Sequence, residues 1–177
     1  MKPPKRFETS RVVLRMPTLD DAESIFESFA RDPEVTRYLS WKHHRTIEQT
    51  DEFLVGCLGR WEDGTEYTWA IVPRGRNDCI GLIALRVRDC RADLGYVLAR
   101  AHWGKGYMTD AARTVAEWAL AQPSIYRVWA VCDVDNVASA RVMEKIGMTR
   151  EGILRRWMVH PAHGEVPRDC YCYSVIK

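Results

Sequence analysis

The stretch "HWGKGYMTDAARTV", residues 102–115, sets two glycines around a lysine immediately before a run with helical spacing. Glycine costs backbone entropy, so Gly104 and Gly106 mark a tight turn or a place where something must approach the bare backbone. Free N–H groups at a helix start, with the helix dipole behind them, attract anions, and Lys105 adds a formal charge. The chemistry this points to is phosphate binding. Two familiar phosphate patterns fail on spacing. The Walker loop needs G-x-x-x-x-G-K-[ST], and Thr109 occupies the third glycine position of the dinucleotide fingerprint. No Asp/Ser arrangement for Mg²⁺ accompanies the loop, which argues against a nucleotide-phosphate enzyme.

Other reactive side chains carry less. The six cysteines include no C-x-x-C pair, and Cys170 and Cys172 lie two apart in a strand-like run. They read as reduced thiols of a cytosolic protein. His43 and His44 are adjacent, and His160 and His163 sit in the turn-like "HPAHG", so no metal is expected.

The elements that must position these residues can be read from periodicity. "RVVLRM" (11–16) reads as a first strand. Thr18 and Asp21 form a capping box before Ala22, Ile25, Phe26, Phe29 and Ala30 at helical spacing. Thr46 and Gln49 form a second, followed by Phe53, Leu54, Cys57, Leu58 and Trp61 on one face. "EYTWAIVP", "CIGLIALRV" and "ADLGYVLA" read as three strands whose short links imply antiparallel pairing.

Ala112, Val115, Ala116, Ala119 and Leu120 then form a helical stripe, and "YRVWAVCD" is the next strand. Strand, helix and strand here imply a parallel crossover. Asp135 and Asn136 open another helix that Gly147 stops, and strands around 150–158 and 169–176 close the chain. The expected fold class is α/β (α+β), a mixed central sheet with helices on both faces.

Length and composition set the frame for that fold. The chain has 177 residues, 46% apolar and 28% charged, with net charge +2. That suits one domain over 1–177 with its core at about 10–176. Nothing global argues for nucleic acid or a membrane surface. No apolar stretch approaches the ~20 residues that span a bilayer. "MKPPKRFETS" lacks the apolar run of a signal peptide, so the reading is cytoplasmic.

"DLGYVLARAHWGKGYMTDA", followed by "DVDNVASARVMEKIGMTREG", resembles the GNAT acyltransferase superfamily and is most similar to its Rim-type branch. That branch acetylates ribosomal-protein N-termini and, in relatives, other amines. The resemblance extends to "ETSRVVLRMPTLDDAESIFE" near the start and "EGILRRW…RDCYCYSVI" near the end. It implies a GNAT fold, acetyl-CoA as cosubstrate, no metal, and an amine acceptor that is a protein N-terminus or a small molecule. It leaves room for a homodimer.

The superfamily's pyrophosphate motif falls on Trp103, Gly104, Lys105, Gly106, Tyr107 and Met108. Only Gly106 matches a signature position, a departure common in the Rim-type branch. The strand before it splays from its neighbour in the family, so Tyr96, Val97 and Leu98 would offer backbone groups to the pantetheine arm and the acyl carbonyl. Asn136 and Ser139 match the N-x-x-[SA] that contacts the coenzyme; Asn136 reads equally as a helix cap. Met143 stands where many members carry a proton-donating tyrosine, so Ser139 is the candidate donor to the thiolate. Its bland alternative is a small packed residue.

Asp93 matches the acidic position of that strand and is the candidate base. It reads equally as a cross-strand ion pair with Arg86 or Arg88. A branch-specific glutamate aligns near Met158 and is missing; Glu151 and Glu66 are poorer candidates. Phe29, Tyr38, Trp41 and His43 lie where the family caps the acyl end, so they line the acceptor site or are ordinary core and surface residues. Met143 and the missing glutamate also leave open a coenzyme A-binding sensor or scaffold without turnover.

Overall fold

The computed structural model describes residues 2–177. In strand β3 (Tyr67–Pro73), Trp69 and Ile71 enter one core cluster and Ala70 and Val72 the other, all almost fully buried. Two-residue alternation with both sides apolar means a sheet covered on both faces. The other strands are β1 (Arg6–Glu8), β2 (Val12–Arg15), β4 (Gly81–Arg88), β5 (Arg91–Leu98), β6 (Arg127–Asp133), β7 (Thr149–Met158) and β8 (Arg168–Ile176). They join one sheet in the order β1-β2-β3-β4-β5-β6-β8-β7. Every neighbouring pair is antiparallel except β5 and β6, which run parallel.

The helices are α1 (Ala22–Ile25), α2 (Pro33–Thr36), α3 (Ile47–Asp63), α4 (Tyr107–Ala121) and α5 (Val137–Lys145). Met108, Ala111, Val115 and Ala119 of α4 pack with Ala140 and Met143 of α5 against Trp69, Ile83 and Leu85. Ile25, Phe29 and Leu54 cover the opposite face over Ala70, Leu82 and Val97. Each fully buried Val, Leu, Ile, Met or Phe among these contributes about 1.5–3 kcal/mol through removal from water. No helix among the described residues is long and apolar enough to cross a membrane.

The mixed sheet, the antiparallel strands β3 to β5 and the parallel crossover through α4 are as the periodicity implies. Two details differ. Strand β1 was not expected, because three residues pairing with β2 carry no readable alternation. The first helical stretch is not one α-helix. Its backbone passes from a 3-10 turn (Leu19–Asp21) through α1 to a π-helical run (Phe26–Ala30). The Asp21 carboxylate does reach back to the Thr18 N–H (2.8 Å), and Arg15 holds it with two further bonds of 2.8 and 2.5 Å.

Candidate active site

The site begins where the sheet comes apart. β4 and β5 are registered from Gly81↔Leu98 to Arg88↔Arg91, whereas β5 and β6 pair only from Arg91↔Arg127 to Asp93↔Trp129. β6 stays in register with β8 as far as Asp133↔Cys170. The edge of Leu94–Leu98 that faces β6 therefore lacks a strand partner and opens into a cleft.

Two cavities occupy this split. The first, about 420 Å³, lies under α3 and is lined by Trp41, Phe53, Arg60, Glu66, Leu82 and Gly95 among others. The second, about 600 Å³, is lined by the 102–109 loop and the first turns of α5. Tyr38, Leu39, Tyr96, Val97, Asn136 and Ser139 line both, so the cavities meet at the split.

The second cavity is built on backbone. Gly104 and Gly106 have φ of 74° and 82°, left-handed conformations in which a side chain costs ~1–2 kcal/mol. Gly106 caps α4, and an added Cβ would meet only the Arg11 side chain at 3.8 Å or beyond. The glycines are thus demanded by backbone shape rather than by crowding. Trp103 donates its indole N–H to the Leu98 carbonyl (2.7 Å), so this group at the end of the open edge already has one partner.

Across the cleft, Asn136 caps α5 by accepting from the Ser139 N–H (3.2 Å). Arg37, Arg141 and Lys145 line this cavity against Glu34 and Asp135, and Arg168 pairs with Asp135 at 2.6 Å. Helix N-termini, freed amides and surplus cations together suit a polyanion.

At the junction, the Ser139 hydroxyl lies 2.8 Å from the Tyr96 hydroxyl, which also donates to the Ser139 carbonyl (3.2 Å). Burial raises the Tyr96 pKa well above its usual value, so the phenol keeps its proton. Met143 is fully buried in the core.

The first cavity is built on side chains. Glu66 accepts from Arg60 Nε (2.9 Å) through one oxygen and from Arg86 Nη1 (3.0 Å) through the other. Arg86 also donates to Asp93 (2.6 Å), and a Cβ on Gly95 would sit 3.1 Å from its guanidinium. Gly95 therefore makes room for Arg86. Overhead, His160 is 1% exposed, with Nδ1 3.4 Å from the Leu39 carbonyl and Nε2 3.4 Å from Asp133. Its pKa is lowered by burial.

The structure brings Tyr96, Val97, Asn136 and Ser139 together, with Leu98, Trp103, Gly104, Gly106 and Met108 along the second cavity and Tyr38 and Trp41 along the first. It leaves others aside. Lys105 and Tyr107 line neither cavity: the Lys105 carbonyl accepts from Arg11 (3.4 Å), and the Tyr107 ring packs against His102. Phe29 is fully buried between the π-helical run and the sheet, so it is core, not lining.

His43 lines neither cavity; its neighbour His44 packs against Trp41 and Phe53. Asp93 is the ion-pair partner of Arg86 and stands behind the cavity wall. Arg60, His160, Arg141 and Lys145 were missed, and Arg86 was read only as the partner of Asp93. Only Arg141 and Lys145, one turn apart on a helix, left a readable signal.

Comparison with known proteins supplies the rest. Residues 11–149 match the family model described as the acetyltransferase (GNAT) domain. An uncharacterised N-acetyltransferase of Bacillus subtilis, YoaA, is 33% identical, covering 96% of each chain. The crystal structure of a GNAT-family acetyltransferase from Bacillus anthracis superposes with TM-score 0.84 at 26% identity, covering 97% of this chain and 98% of that one. RimL, a ribosomal L7/L12 α-N-protein acetyltransferase solved with coenzyme A, shares the fold with TM-score 0.82 at 19% identity, covering 95% of each.

Proposed function

The chain belongs to the GNAT acetyltransferase family, and from that premise we propose that acetyl-CoA lies in the second cavity, the acceptor amine enters through the first, and transfer occurs where they meet. The observation that carries this is the six residues shared by both cavities at the parted edge of β5. On this reading residues 1–177 act as one catalytic domain. The resemblance to the Rim-type branch points to a protein N-terminal amine or a small-molecule amine, and a cytoplasmic setting goes with it.

The second cavity's charge suits coenzyme A. Its pyrophosphate would lie at the amides of the 103–106 loop, and Arg141 and Lys145 supply positive charge beside it. The Tyr96 N–H, on the open strand edge, is the candidate donor to the oxyanion that forms when the amine attacks the thioester. The departing thiolate takes a proton or a hydrogen bond from Ser139. Tyr96, sharing a hydrogen bond with that hydroxyl, orients it. The serine hydroxyl thus takes up work that Met143 cannot do.

The base is not a side chain on this reading. Among the described residues Glu66 is the one carboxylate lining the first cavity, and both its oxygens accept from arginines. The amine would therefore arrive as the free base or lose its proton to water. The test is thiol release from acetyl-CoA with peptide N-termini and small amines, the acetylated product identified by mass. Acceptor-dependent release supports the reading. Tight acetyl-CoA binding with no release for any amine would favour a sensor or scaffold.

A further inference from the structure

The first cavity also carries a statement about the acceptor itself. Its far wall is a chain of four charged groups, Arg60–Glu66–Arg86–Asp93, with successive contacts of 2.9, 3.0 and 2.6 Å. The carboxylates in it are spent. Glu66 accepts on both oxygens, with the Thr68 hydroxyl adding a third bond at 3.4 Å; Asp93, behind the wall, takes both Arg86 contacts on Oδ2.

The cations are not spent equally. Arg86 gives every nitrogen to these two acids, whereas Arg60 gives Nε to Glu66 and only a weak Nη2 contact to the Cys57 sulfur at 3.4 Å. Its side chain is 42% exposed and lines the cavity. His160, the remaining titratable group of clear consequence on the lining, is held toward its neutral form by burial. The far wall therefore offers a ligand free donors, while the carboxylate that lines it, Glu66, is already held on both oxygens.

The dimensions add to this. Arg86 is in register with Asp93, three residues down β5 from Tyr96, which places the arginines ~10 Å from the junction. Between them the walls are Trp41 and Phe53, with ring centroids 5.8 Å apart, together with Leu82, Ala84 and Val97. We propose that the acceptor is a compact primary amine with a flat apolar or aromatic body and an anionic group at its far end, received by Arg60. Polycationic amines are disfavoured, because every carboxylate that could attract them is already paired. The inference rests on the transfer reading above and deepens it.

Three amines of one shape separate the possibilities: para-(aminoethyl)benzoate, para-(aminoethyl)benzamide and para-(aminoethyl)benzylamine. With wild-type protein and acetyl-CoA, kcat/KM for the benzoate should exceed that for the benzamide by about tenfold, the scale of one charge-assisted hydrogen bond, and the benzylamine should be poorest. Arg60→Gln should bring the benzoate down to the level of the benzamide while acetyl-CoA affinity is unchanged, and Arg60→Lys should restore part of the preference. The proposal is overturned if the benzamide or benzylamine equals the benzoate, if the preference survives Arg60→Gln, or if acetyl-CoA binds and none of the three is acetylated. Failure of acetyl-CoA itself to bind, read separately by calorimetry, would overturn the transfer reading as well.

Discussion

The two cavities are built by opposite means. The coenzyme side is made of backbone: a glycine loop, two helix starts and the unpaired edge of one strand, drawn largely from residues 96–109 and 135–145. The acceptor side is made of side chains, with Arg60 from α3, Glu66 just before β3, Arg86 from β4 and His160 beyond β7. Backbone geometry is held by the sheet and helices as a whole, so one substitution damages it only where it changes φ or blocks an amide. A side-chain wall is only as durable as its ion pairs. The coenzyme half should therefore fail at few positions and severely, and the acceptor half at many positions and by degrees.

Gly106→Glu should have the largest effect. The residue sits at φ 82° on the cavity lining, so the change strains the cap and sets a carboxylate where phosphate must approach. Acetyl-CoA affinity should fall ~100-fold or more, the value of two lost charge-assisted hydrogen bonds, while the fold survives the ~1–2 kcal/mol of strain. Calorimetry on the folded variant reads this, and near-normal affinity would erase the distinction between the two cavities.

Removing groups at the junction should act on rate rather than binding. Ser139→Ala should lower kcat by ~100-fold, the scale of general-acid assistance, with the acetyl-CoA dissociation constant nearly unchanged. Tyr96→Phe should cost less, because the serine hydroxyl remains. If Tyr96→Phe proved the worse of the two, the phenol would be the donor and the serine its support.

The smallest effect belongs to Asp93→Asn. The carboxylate partners Arg86 and stands behind the wall, so the variant should lose stability by about 1–3 kcal/mol and keep its pH–rate profile within a few-fold in rate. Thermal unfolding and the profile together decide. A ~100-fold fall in rate that recovers at high pH would return Asp93 to the mechanism as base.

The same contrast explains what could be read from the sequence. Gly104, Gly106, Asn136 and Ser139 lie in contiguous stretches whose local geometry is set by residue type, and there the loop and the helix cap were visible; the split strand was implied by the family resemblance alone. Phe29 was misread because helical spacing reports which face is apolar, not whether that face meets a cavity or a core. His160 sits in a stretch that reads as an ordinary turn, and Pro161–His163 does form one; nothing local shows that the imidazole points inward to Asp133. Arg60 and Glu66 are six residues apart across the end of a helix, and their link to Arg86 depends on strand register. Register is a property of the assembled sheet.

The central claim is that acetyl transfer takes place where β5 parts from β6, with coenzyme on one side and acceptor on the other. Residue-resolved amide hydrogen exchange, with and without acetyl-CoA, tests it most directly. The account predicts slower exchange at Tyr96 and Leu98, in the 103–106 loop and at the first turn of α5, with Arg60 and Glu66 unaffected until an amine is added. Unchanged exchange along Tyr96–Leu98 in the saturated protein, with protection appearing elsewhere, would contradict it.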